Sequence, residues 1–278
     1  MPGTMSCPGQ PLIAVNGFVS EGETPRLELA LSYAESIVAA GGLPLALGPV
    51  GGLSEIEALL ERVDGLLLSG GDDFDTERLG LGPTHDKATP TPTRKQDWDF
   101  QLVRTALAQG VPLLGICYGM QALGLAEGAS IHQHLPEGRP GSREHAGGTV
   151  HAVVAAHGSK LRFLLGVDTV DVISRHHQAL ATVAPPWRVC AQDEEGLIEA
   201  IERADHPFAI GVQWHPELSG PDSPHGGLFR GLIAAAARRA QGRRHTRDDL
   251  SAHDMDALAR LEEVREPINP LSDETLSR

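Results

Sequence analysis

Through its first 130 residues the chain alternates short apolar runs with longer amphipathic ones, and few folds admit that alternation. The strand candidates are Leu12–Val15, Pro44–Leu47, Val63–Leu68 and Val111–Ile116. Helical patterns lie between them. Leu27–Ala40 ends at Gly41 and Gly42, Ser54–Arg62 opens with Ser54 as N-cap and Glu57 three residues on, and Arg94–Ala108 ends at Gly110. Strand, helix, strand in repetition predicts an α/β fold with a central, mostly parallel sheet flanked by helices on both faces.

The second half has a different rhythm. Thr149–Val154, Thr169–Ile173, Trp187–Cys190, Gly196–Ile201 and Ala209–Val212 are short strand-like segments at hairpin spacing, which predicts a small antiparallel extension of the sheet. Between Asp72 and Arg94 the Pro-, Gly- and Thr-rich stretch LGLGPTHDKATPTPTR is too long for a simple connection, a length usually tied to function or mobility. A chain of 278 residues can bury one sizeable core, so a single domain over 11–240 is expected. The charged tail, 241–278, is expected to be partly helical or disordered, with one helix over Ser251–Arg265.

Charge excludes several function classes. A formal net charge of −14 opposes a nucleic-acid surface and an anionic membrane alike. The one dense basic run, Arg238, Arg239, Arg243, Arg244 and Arg247, has no interleaved aromatic residues and reads as a solvated helix end. Cys7, Cys117 and Cys190 form no metal-ligand or CxxC spacing, so a reducing compartment is expected. No leader-like start or membrane-length apolar run is visible, and the expected location is the cytoplasm.

The segment Val111-Pro-Leu-Leu-Gly-Ile-Cys-Tyr-Gly-Met-Gln runs a buried strand into a Gly-x-Cys-x-Gly turn and then into a helix. Small residues on both sides permit a strained turn that projects Cys117 from the sheet edge. The helix N-terminus there favours the thiolate, the reactive form of cysteine. Taken alone, the same residue could be a small buried hydrophobe. A second segment, Pro207-Phe-Ala-Ile-Gly-Val-Gln-Trp-His-Pro-Glu, delivers His215 and Glu217 just past the end of another strand. A cysteine nucleophile needs an imidazole to take and return its proton, and a carboxylate to fix that imidazole's tautomer. In a parallel sheet the carboxyl ends of the strands form the ligand crevice, so both segments point to one place.

GICYGMQ, Ser69-Gly-Gly-Asp-Asp upstream and GVQWHPE downstream resemble the class I glutamine amidotransferase superfamily, whose fold is flavodoxin-like. The closest resemblance is to the stand-alone γ-glutamyl hydrolases of the peptidase C26 branch. It runs from about Pro11 to Arg239 and implies Cys117 as nucleophile, His215 as base and Glu217 as third member. It further implies Gly71 and Tyr118 as backbone donors of the oxyanion hole, and Gln121, Ser174 and His176 near the substrate. Tyr118 stands where many hydrolases of that branch carry arginine, and the proline and tyrosine expected after the Gly-Gly-Asp loop are absent. The implied activity is hydrolysis of a γ-glutamyl amide in a small γ-glutamyl-amine conjugate, as in polyamine catabolism, with no cofactor. The rival readings are a glutaminase that feeds ammonia to a partner synthase as its subunit, and a non-catalytic binding member of the fold. A homodimer is one assembly open to such a chain. His132, His134, His145, His151 and His157 lack a convincing metal-ligand spacing and read as scattered surface histidines, so no metal is expected.

Overall fold

The computed structural model describes residues 9–20 and 22–243. In chain order the elements are β1 (Leu12–Asn16), β2 (Phe18–Ser20), β3 (Arg26–Glu28), α1 (Leu31–Ala39), β4 (Leu43–Leu47), α2 (Leu53–Leu60) and β5 (Gly65–Leu68). There follow α3 (Thr93–Ala108), β6 (Leu113–Ile116), α4 (Tyr118–Ala126), β7 (Ser130–His132), α5 (Leu135–Gly138), β8 (Thr149–Ala155) and α6 (Lys160–Leu165). The second half continues with β9 (Thr169–Ser174), β10 (Ala179–Thr182), β11 (Trp187–Asp193), β12 (Ile198–Arg203) and β13 (Ala209–Val212), and the last helix among the described residues, α7, starts at 226. Contacts divide the chain into Met1–Arg239 and Ala240–Arg278. The helix expected over Ser251–Arg265 lies outside the described residues.

Nine strands form one sheet in the order β4-β1-β5-β6-β13-β12-β11-β8-β9. From β4 to β13 every pairing is parallel, and from β13 to β9 every pairing is antiparallel. The inner parallel strands β1, β5, β6 and β13 are buried on both faces, so their side chains alternate between two cores, whereas the edge strand β4 is largely exposed. Ala14, Leu66, Leu68 and Leu113 pack with α2, α3 and α4, whereas Ile13, Val15, Leu67, Leu114 and Ile116 pack with α1, α6 and α7.

Three local expectations are corrected. The helix expected over Leu27–Ala40 starts only at Leu31, because Leu27 pairs with Val19 in the β2/β3 hairpin. Ser54 is not the N-cap of α2. Gly52 is, and its backbone N–H donates to Glu55 at 2.8 Å, so Glu55 and not Glu57 closes the turn. Arg239 is not a solvated helix end either, since its guanidinium donates to the carbonyls of Leu60 and Gln109 where α2 and α3 terminate.

Candidate active site

The turn after β6 is built around two absent side chains. Cys117 adopts φ +52° and ψ −108°, and it is the one non-glycine residue with positive φ among the described residues. Such a backbone costs about 1–3 kcal/mol and persists only where the surroundings enforce it. Here they do. A Cβ on Gly119 would stand 2.3 Å from the Leu68 carbonyl oxygen, and one on Gly115 would stand 2.7 Å from the Gly119 carbonyl. The glycines therefore let α4 press against β5 and β6, and the chain reverses through Cys117. Gly119→Ala should destabilise the fold by about 2–3 kcal/mol through overpacking against backbone, outweighing the roughly 1 kcal/mol that alanine contributes to helix propensity. A denaturation midpoint equal to or above wild type would refute this account of the turn.

The second arm comes from the neighbouring strand. β13 pairs with β6 in parallel, with Val212 opposite Ile116, and the Cys117 N–H donates to the Val212 carbonyl at 2.8 Å. His215 and Cys117 thus leave adjacent strands at the same end of the sheet. His215 Nδ1 lies 2.7 Å from Glu217 Oε1, which leaves Nε2 for the sulfur. Burial alone would lower the His215 pKa, but hydrogen bonds to Cys117 and Glu217 and their negative charge outweigh it, and the imidazole is raised to about 10. The pair is therefore suited to a thiolate–imidazolium state, which can attack an acyl carbon and then protonate a departing amine.

Donors for a developing oxyanion stand opposite. The N–H groups of Gly71 and Tyr118 have no protein hydrogen-bond partner among the described residues, and the Tyr118 N–H opens α4. Both are held by a buried network. Ser69 donates its N–H to Asn16 Oδ1 at 2.7 Å, and Asn16 donates to Asp99 Oδ1 at 3.0 Å. The Tyr118 hydroxyl donates to Asp99 Oδ2 at 3.1 Å, and Lys95 pairs with the same carboxylate. The Tyr118 ring stacks on Phe74 with centroids 4.4 Å apart. Gly70 differs from Gly71 because its N–H is occupied by the Tyr33 hydroxyl at 3.0 Å. Burial and the adjacent Glu217 carboxylate hold that phenol well above its ordinary range, so it stays neutral.

These groups open onto a cavity of about 230 Å³ lined by Gly71, Cys117, Tyr118 and Gln121, with Asp72 and Arg175 among the charged residues around it. Gln121 spends its amide N–H groups on the Gln178 carbonyl (2.9 Å) and on Gln213 Oε1 (3.1 Å). His176 borders the cavity, but its ring is buried.

Comparison with known proteins assigns the frame. The model of the peptidase C26 family matches residues 11–217, a span that holds Cys117, His215 and Glu217. The chain belongs to the peptidase C26 family. The γ-glutamyl-γ-aminobutyrate hydrolase of Escherichia coli K12 is 34% identical over 216 residues, covering 73% of this chain and 84% of that protein. A Mycobacterium tuberculosis protein named for the glutamine amidotransferases is 35% identical over 237 residues, covering 82% and 75%. A solved Thermoplasma acidophilum structure, named for a GMP synthase, shares the fold at TM-score 0.60 and 17% identity, covering 84% of this chain and 98% of that one. The protein is thus a glutamine amidotransferase-like hydrolase acting on amide C–N bonds, built on the expected α/β sheet. No described helix is long and apolar enough to cross a membrane.

Within this C26 site, two expectations from the sequence need correction. Ser174 does not face the cavity. It is fully buried, and its hydroxyl donates to the His145 carbonyl at 2.7 Å, anchoring segment 143–148 to the end of β9. The histidines are also not uniformly on the surface. His157 is exposed, but His145 and His151 are buried and converge on Glu199. Sequence reasoning passed over Gln213, whose amide reaches Cys117 Sγ at 3.6 Å, although it sits inside GVQWHPE. It also passed over Lys95 and Asp99. Their four-residue spacing continues to the buried Leu102 and Ala106, a helix face that marks the pair as interior.

Proposed function

We propose that this chain is a free-standing, cysteine-dependent hydrolase that cleaves the γ-glutamyl amide of a small γ-glutamyl-amine conjugate to glutamate and free amine. The observation that carries the reading is Cys117 on its strained turn beside a histidine raised to about 10 by thiol and carboxylate partners. In this scheme the Cys117 thiolate adds to the γ-carbonyl carbon, and the oxygen, now negative, accepts the Gly71 and Tyr118 N–H groups. The C–N bond breaks as the His215 imidazolium gives its proton to the amine, leaving a thioester. Neutral His215 then takes a proton from water, hydroxide adds to the thioester, and glutamate leaves as the thiolate is restored. The glutamyl head is a zwitterion, and Asp72 and Arg175 offer one charge of each sign at the cavity. Burial and the adjacent Asp73 raise the Asp72 carboxyl, which a substrate ammonium would offset.

The test is a panel of γ-glutamyl amines, glutamine included, assayed with the isolated chain. The proposal expects kcat/KM for at least one conjugate to exceed that for glutamine by about tenfold or more, equivalent to roughly 1.4 kcal/mol in the transition state. Glutamine turnover that appears only when a synthase is added would replace this reading with that of a glutaminase subunit. Silence across the panel would leave a binding protein. The two described cysteines, Cys117 and Cys190, are free thiols, in keeping with the cytoplasmic location we propose.

A further inference from the structure

Behind the catalytic strand lies a second polar cluster that the hydrolysis scheme does not use. Glu199 Oε1 on β12 lies 3.2 Å from His151 Nε2, 3.6 Å from His145 Nδ1 and 3.8 Å from His176 Nε2. All four side chains are almost wholly buried. The ligand atoms of His145, His151 and Glu199 all lie within 4.8 Å of one another, against about 3.3 Å in tetrahedral coordination with bonds of about 2.0–2.1 Å.

Tautomers sharpen the case. His176 Nδ1 is 2.9 Å from the Gln178 carbonyl, which can only accept, so the ring proton is on Nδ1. Nε2 is then a bare lone pair with no hydrogen-bond partner, aimed at a carboxylate oxygen. His145 Nε2 is also without a hydrogen-bond partner and lies 3.6 Å from Asp193 Oδ2, while its Nδ1 lies 3.6 Å from Glu199 Oε1. Ser174 is 3.5 Å from that Nδ1 but spends its one hydroxyl proton on the His145 carbonyl at 2.7 Å. Three imidazoles therefore crowd around one carboxylate in the interior. Glu199 Oε2 and Asp193 Oδ2 are also buried without hydrogen-bond partners. Such a gathering is costly without a cation between the groups. Asp193 lies behind His145, on the side from which an outer carboxylate orients a metal-bound imidazole.

We propose that His145, His151 and Glu199 form a site for a divalent cation of the zinc type. Two imidazoles and one carboxylate suit zinc, with a fourth position left to water. The ion ties segment 143–148 and β8 to β12. The Glu199 carbonyl accepts the N–H of Gln213, whose side chain touches the Cys117 sulfur, so the clamp lies one strand from the nucleophile.

The test uses untagged full-length Cys117→Ala protein, so that zinc cannot bind the thiol. Metal-stripped protein should take up about one zinc per chain by elemental analysis. Its Tm should rise by roughly 5–10 °C at zinc concentrations near 100 times Kd. Glu199→Gln, which keeps shape but removes the anionic oxygen, and His145→Ala should each lose both responses. Failure of the parent to retain stoichiometric zinc or to gain Tm would overturn the proposal, as would undiminished zinc binding by either variant. If Glu199→Gln does not fold, the parent's stoichiometry and His145→Ala decide. The readouts are metal content and Tm, so the outcome is independent of which amide the enzyme hydrolyses.

Discussion

Cys117→Ala should lower kcat on the preferred γ-glutamyl amide by at least about 10⁴-fold while leaving the denaturation midpoint equal to or slightly above that of the wild type. The two halves of this expectation have different causes. Removing the sulfur removes the atom that forms the thioester, and neither the oxyanion donors nor Gln121 can supply a substitute. Removing it does not relieve the turn, because the left-handed backbone at position 117 is imposed by Gly119 against the Leu68 carbonyl and by the Cys117 N–H bond to Val212. The measurement pairs steady-state kinetics with chemical denaturation. Substantial residual turnover by pure Cys117→Ala protein would eliminate the covalent route.

The second large effect concerns proton transfer. His215→Asn should reduce kcat by about 10²–10⁴-fold, the usual contribution of a positioned acid–base group, and should abolish the alkaline limb of the pH profile. In the wild type that limb should fall near pH 10, where the imidazolium loses the proton needed by the departing amine. The direction follows from the shift. A histidine raised from 6.5 to about 10 contributes stability that is fully present below 6.5 and is lost as pH rises through about 10. Glu217→Gln keeps the shape of the partner but removes its charge, so the alkaline limb should move to lower pH. An unmoved limb in Glu217→Gln would mean that the carboxylate does not hold the imidazolium.

How much of this was legible in the sequence depends on the range over which each residue acts. The parallel core could be read because Leu12–Val15, Val63–Leu68 and Val111–Ile116 are short, largely apolar runs, and burial on both faces removes the polar alternation of a half-exposed strand. Cys117 could be read because its constraint is local, with glycines two residues away on either side. The His-Pro-Glu turn was equally compact. The start of α1 was obscured because Leu27 has the right spacing for a helix yet gains more by pairing with Val19 in a hairpin. Tyr33 and Asn16 left no local trace, and the helix spacing that marks Asp99 as interior does not name its partner, since Asn16 meets Asp99 across 83 positions and Tyr33 meets Gly70 across 37. The burial of His145 and His151 was hidden for the same reason. Their partner Glu199 lies on a strand whose alternation is erased because both of its faces are covered.

The pairing of β6 with β13 has a consequence for how such an enzyme can change. Sulfur and imidazole are set by rungs of one hydrogen-bonded ladder, while α4, β7 to β12 and their connections lie between them along the chain. Under the proposed function, selectivity for one amine over another can therefore be rewritten in those connections with little displacement of the reacting pair. Reactivity and choice of amine then rest on separate stretches of polypeptide, and a lineage can alter the second while retaining the first.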